Sequence, residues 1–172
     1  MKQLQRDIKV YVACLAAYNN GILHGCWIDA EQDAYNIYAD IREMLAASPI
    51  EDAEEWAIHD HEGFEGADVS EYMGIDEVAE LAAFIGEHGE IGGKLVGHFG
   101  DLSEARKAIE DAYAGEYRSL ADFAEELTEE TGQVPENLRF YIDYERMARD
   151  MEICDVFIIQ TGFEQVHVFW SN

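Results

Sequence analysis

Few residues in this chain stand at spacings that do chemistry. His59-Asp60-His61 sets two imidazoles two residues apart, which on a strand places them on one face. With Asp60 and Glu62 alongside, a divalent metal is conceivable. A lone H-x-H is more often a surface or structural feature, so no metal is assigned. Gly89-Glu-Ile-Gly92-Gly-Lys94 is glycine-rich beside a lysine. It lacks the spacing of a phosphate-cradling loop, and Leu95 stands where Ser or Thr should follow the lysine. Cys14, Cys26 and Cys154 are too few and too scattered for a disulfide framework and form no C-x-x-C pair. They are expected to be buried, reduced thiols. Neither a G-x-S-x-G nucleophile signature nor an EF-hand loop occurs. Asp143 and Glu145, next to Tyr141 and Tyr144, suit a helix surface and core edge better than a site. The expectation is a protein that is not an enzyme, with no catalytic residue and no cofactor.

The elements that would position these residues can be read from pattern and punctuation. Residues 8–17 are rich in β-branched and apolar types and predict a strand. Tyr18-Asn-Asn-Gly21 predicts a hairpin turn, and Ile22 to Ile28 a returning strand. Asp29 with Gln32 predicts a capping box opening a helix through Ala34, Ile37, Tyr38, Ile41 and Leu45. Ser48-Pro49 stops it, and residues 55–60 predict a third strand. From Asp68 to about Gly100 the pattern is helical, with Asp76 opening a helix that buries Val78, Leu81, Ala82 and Ile85. Frequent glycines should keep these helices short and broken. Further on, Asp101 with Glu104 and Ser119 with Asp122 predict two capped helices, the second ended by Gly132. Pro135 suits the first turn of another, running to Met151. Ile153–Thr161 and Val166–Trp170 predict a closing hairpin around Gly162. The reading is an α+β fold of three small domains: residues 1–62 (α+β), 63–102 (helical) and 103–172 (α+β). Tyr11, Trp27, Tyr35, Tyr38, Phe140, Tyr141, Tyr144, Phe157, Phe169 and Trp170 are expected mostly in the core, with some available to a dimer contact.

Hydrophobic residues make up 48% of the 172, enough to build a core. No apolar run approaches the length of a membrane span, and residues 1–7 lack the apolar segment of a signal peptide. The chain is expected to be cytoplasmic. Its charge is unusual: 37 acids against 11 bases leave −26. Such a surface repels nucleic acid and anionic membranes, so neither is expected as a direct partner. Basic partners are.

The acids are also patterned. No Lys or Arg occurs between Arg42 and Lys94, an interval holding fifteen carboxylates. These are Glu43, Glu51, Asp52, Glu54, Glu55, Asp60, Glu62, Glu65, Asp68, Glu71, Asp76, Glu77, Glu80, Glu87 and Glu90. A second patch, Asp122, Glu125, Glu126, Glu129 and Glu130, falls on one face of a predicted helix whose other face is apolar. Like charges at this spacing cost a helix about 0.2–0.5 kcal/mol per pair. Three readings compete: a solvated acidic face, adaptation to high salt, and mimicry of a polyanion. At one charge per about 1.7 Å of duplex axis, −26 corresponds to about 44 Å of DNA, and a dimer to about 88 Å.

The run from Tyr11 to Asp29 is specific enough to suggest a family. Tyr11, Leu15, Tyr18, Asn19, Gly21, Gly25 and Trp27 match the Y-x-x-x-L-x-x-Y-N-x-G-x-x-x-G-x-W opening of ArdA-type antirestriction proteins, which this chain resembles. Residues 140–150 are similar to the family's late helix, 166–169 to its closing strand, and the acidic stretch 124–130 lies where the family has its acidic motif. The resemblance covers essentially the whole chain. It implies an elongated, three-domain homodimer whose carboxylates imitate duplex DNA and occupy the DNA-binding groove of Type I restriction-modification enzymes. The twenty carboxylates named above would form that mimic surface. Neutralising one of them should then change inhibition little, because the energy is spread over many contacts. An acidic carrier or chaperone shielding a basic nucleic-acid-binding protein, and a metal-dependent hydrolase, remain as alternatives.

Overall fold

The computed structural model describes residues 7–171. Residues 1–6, on which the signal-peptide expectation rests, and residue 172 lie outside the described residues. The chain is mixed α+β and forms two compact units, Met1–Gly100 and Asp101–Asn172.

The first unit is built on a three-stranded antiparallel sheet in the order β2-β1-β3, from β1 (Lys9–Cys14), β2 (Gly25–Asp29) and β3 (Trp56–Glu62). Val10 and Val12 alternate inward from β1 and are completely buried. The expected strand over 8–17 ends at Cys14, because Leu15–Asn19 coils into a short helix, α1. The connection to β2 is therefore this helical turn and a loop, not the tight hairpin expected at Tyr18–Gly21. Helix α2 (Ala34–Ala46) buries Ile37, Ile41 and Met44 and packs on β1 and β2. Asp29 does not cap it. The Asp29 carboxylate accepts the Glu31 N–H at 2.9 Å, an Asx turn, and Gln32 donates to Asp40 at 2.7 Å. The helix consequently starts after Asp33.

The helical stretch resolves into α3 (Ile75–His88) and α4 (Glu90–Phe99), separated at Gly89. Asp76 lies in the first turn of α3 instead of opening it, where its charge suits the helix N-terminus. Helix α4 is less broken than its glycines suggest. A Cβ at Gly93 would stand 2.5 Å from the Phe64 carbonyl oxygen, so glycine here allows α4 to press against the loop after β3.

The second unit has a sheet of order β4-β6-β5, from β4 (Tyr113–Tyr117), β5 (Val156–Gly162) and β6 (Gln165–Trp170). Its core joins Val156, Val166 and Val168 to Leu120, Phe123 and Ala124 of α6 (Leu120–Thr131) and Ala148 and Met151 of α7 (Tyr144–Cys154). Both predicted caps form. Asp101 accepts the Glu104 N–H at 2.9 Å to open α5 (Leu102–Lys107), and Ser119 accepts the Asp122 N–H at 3.1 Å to open α6. The single helix expected after Pro135 divides. A 3₁₀ segment covers Glu136–Tyr141, Ile142 is extended, and Asp143 accepts the Arg146 N–H at 3.0 Å to start α7. β4 was not expected, and β5 begins three residues later than predicted because α7 runs on through Ile153 and Cys154.

Candidate functional site

Exposure comes first, since a recognition surface must be reachable. Eighteen of the twenty patterned carboxylates are exposed; Glu65 and Glu90 are half-buried. Among the described residues, no charged or polar residue joins the buried set. Glu43 lies on α2. Glu51, Asp52, Glu54 and Glu55 occupy the loop from α2 to β3, and Asp60 and Glu62 lie on β3, at the sheet edge. Glu65, Asp68 and Glu71 follow in the connection to α3. Asp76, Glu77, Glu80 and Glu87 lie on α3, and Glu90 opens α4. Asp52 and Glu65 adopt φ of 56° and 52°. Left-handed backbone costs a non-glycine residue about 1–2 kcal/mol, less for Asp.

Helix α6 shows how a one-sign face is made. Leu120, Phe123 and Ala124 are buried, which fixes the rotation of the helix and turns Asp122, Glu125, Glu126, Glu129 and Glu130 outward. Among the described residues, none of these five makes an ion pair with Lys or Arg. Elsewhere the cations are used locally: Lys9 with Glu62 at 3.2 Å, Lys94 with Glu90 at 2.9 Å, Lys107 with Glu104 at 2.9 Å, and Arg118 with Glu164 at 3.2 Å. Imidazoles supply longer contacts, His59 to Glu71 at 3.7 Å and His88 to Glu87 at 3.8 Å.

Neighbouring groups register the resulting potential. Burial pushes the Tyr117 phenol above its ordinary pKa, and Glu126 and Glu130 push it further. Burial, then Asp40 and Glu43, raise the Cys26 thiol. Glu31 is raised by burial and by Asp29 and Asp7. This last cluster was not among the two patches read from the sequence. Its only local signal was the D-x-E spacing of Asp29 and Glu31, which falls outside the base-free interval.

The other chemical candidates are not gathered into a centre. His59 contacts the Tyr18 ring at 4.9 Å, whereas His61 contacts Phe64 at 5.6 Å. Among the described residues, no three His, Cys, Asp or Glu side chains converge as metal ligands. The three cysteines are free, but only Cys14 is buried; Cys26 is half-buried and Cys154 exposed. The aromatic expectation also needs correction. Phe169 is buried, yet Phe140 is 95% and Tyr141 84% exposed, because the 3₁₀ segment carrying them contributes nothing to the core.

The opening motif has a physical basis. Tyr11 and Trp27 are paired across β1 and β2 on the sheet face away from Val10 and Val12, with ring centroids 5.5 Å apart. A side chain at Gly25 would collide with the Val12 carbonyl and come within 2.9 Å of the Tyr11 ring. Lys9 sits 5.3 Å over the Trp27 ring, a cation–π contact that extends the same cluster.

Fold and surface together define an acidic α+β protein whose distinguishing feature is a large set of exposed, largely uncompensated carboxylates. The family model described as antirestriction protein (ArdA) matches residues 10–165, and the chain belongs to that family. Antirestriction is the function this membership implies, as the opening motif suggested. Among curated proteins, none matches. No helix among the described residues is long and apolar enough to cross a membrane.

Proposed function

We propose that this protein inhibits Type I restriction-modification enzymes by occupying their DNA-binding groove, with its carboxylates standing in for phosphates. The observation that carries the reading is the α6 face: five exposed acids over less than three helical turns, without a cation among them. Such a face gives up helix stability through repulsion and gains a match to a groove lined with Lys and Arg. In this reading three modules, 1–62, 63–102 and 103–172, share the mimic surface, and a homodimer doubles its length. Association is steered by charge and weakens steeply with salt.

The test is inhibition of DNA cleavage by a purified Type I enzyme. The unaltered chain should inhibit in a salt-dependent way. Glu125→Gln alone should change the inhibitory concentration by less than about fivefold, since one exposed pair contributes at most about 1 kcal/mol. Neutralising all five acids of α6 should weaken inhibition about tenfold or more. Undiminished inhibition by the fivefold variant would remove the basis for the reading.

A further inference from the structure

β2 is the outer strand of its sheet, and beside it lies a cleft of about 450 Å³ whose far wall is α2. His24, Cys26 and Ile28 line one side; Asp40, Glu43 and Met44 line the other. The ladder determines which backbone groups of β2 are already used. Cys14 donates to the His24 carbonyl and Ala30 to the Ile8 carbonyl, both at 2.9 Å. With Val12 opposite Cys26 and Val10 opposite Ile28, the residues bonded to β1 are His24, Cys26, Ile28 and Ala30. Antiparallel alternation then turns the N–H and C=O groups of Gly25, Trp27 and Asp29 away from β1. Among the described residues no strand pairs with them.

An edge of this kind is a template for another extended chain unless something blunts it. β2 contains no Lys and no Pro. The helix wall is acidic, and the one Arg of α2, Arg42, lies over the Tyr35 ring instead of in the cleft. Negative potential reaches the interior, because Asp40 and Glu43 add to burial in raising the half-buried Cys26 thiol. We infer that this cleft binds an extended basic polypeptide segment, which adds as a fourth strand to β2 and sets Arg or Lys side chains against Asp40 and Glu43. An added strand lies about 4.8 Å from β2, so every second side chain enters the cleft and the intervening ones pass beside Trp27. Backbone pairing supplies register and the two carboxylates supply the preference for cations. The cleft's volume is in the ordinary range for a binding site. The inference does not depend on DNA mimicry and survives its failure.

The probe is a fluorescein-labelled peptide alternating Thr and Arg. Its control is the same peptide N-methylated at alternate backbone nitrogens, which keeps the charge but cannot pair with a strand edge. Binding is read by anisotropy, and occupancy by the rate of Cys26 carbamidomethylation, with exposed Cys154 as the internal reference. The parent peptide should bind, slow labelling of Cys26 and leave Cys154 unaffected. The methylated peptide should bind more weakly. The double variant Asp40→Asn, Glu43→Gln should weaken the parent peptide about fivefold, the equivalent of two partly exposed charge pairs. Equal affinity of the two peptides for the unaltered protein would reduce the effect to general attraction by an acidic surface and overturn the inference. So would unchanged Cys26 labelling at saturating parent peptide.

Discussion

Glu31 shows at the scale of one residue what crowding by like charge does. Asp29 and Asp7 add to burial in raising its pKa above the ordinary 4.5. A carboxyl whose folded pKa is raised binds its proton more tightly in the folded state. Its protonation therefore adds stability as pH falls through the raised value toward 4.5, and that contribution is absent at neutral pH. Glu31→Gln should raise the melting temperature at pH 7, and the gain should shrink as pH is lowered to 4.5; a gain independent of pH would assign the effect to packing. Single residues were legible in the sequence where their roles are local. Ser119 and Asp101 cap helices within three residues of themselves, so type and spacing suffice. Asp29 has the same type and spacing but spends its oxygen on the Glu31 N–H. Phe140 and Tyr141 were expected on the apolar face of one continuous helix over 136–151, whereas the 3₁₀ segment that forms there buries none of its residues.

At the scale of the element, two balances can be measured. Gly93 lies where α4 meets the loop after β3, and a methyl there would stand 2.5 Å from the Phe64 oxygen and the Glu65 Cβ. Gly93→Ala should destabilise the chain by about 1–3 kcal/mol despite alanine's better helix propensity, as read by chemical denaturation. A stabilised variant would mean that α4 is free to move off that loop. Helix α6 carries like charges at 122/126, 125/129 and 126/130. Neutralising its five acids should stabilise the chain by about 1 kcal/mol, the sum of three such pairs, even as inhibition falls. Lost stability together with lost inhibition would identify a folding defect. The acidic face of α6 was readable because 3.6-residue periodicity sorts its acids from Leu120, Phe123 and Ala124. β4 was not. It is five residues long, holds Gly115 at φ 128°, and its pairing with β6 shifts register between Tyr113 and Gly115, so no alternation survives.

For the whole molecule the charge is distributed more evenly than its clusters suggest. Residues 1–100 hold 20 acids and five bases, residues 101–172 hold 17 and six, giving −15 and −11, nearly the same density. Concentration of charge is thus a property of particular elements, and both units carry the self-repulsion. Raising salt from about 20 to about 300 mM should raise the melting temperature by about 3–6 °C, roughly 1–2 kcal/mol. A flat or falling curve would indicate a better-balanced surface. The α+β class and the closing hairpin were legible from pattern. The groups free along the β2 edge were not, because ladder parity depends on pairing that no sequence period specifies.

The most direct measurement is competition between this protein and a duplex bearing the recognition site for a purified Type I restriction-modification enzyme. A DNA mimic should displace the duplex in proportion to its concentration, and rising duplex concentration should restore DNA binding. Simultaneous binding of protein and duplex to the enzyme, or no displacement at any protein concentration, would contradict the proposal.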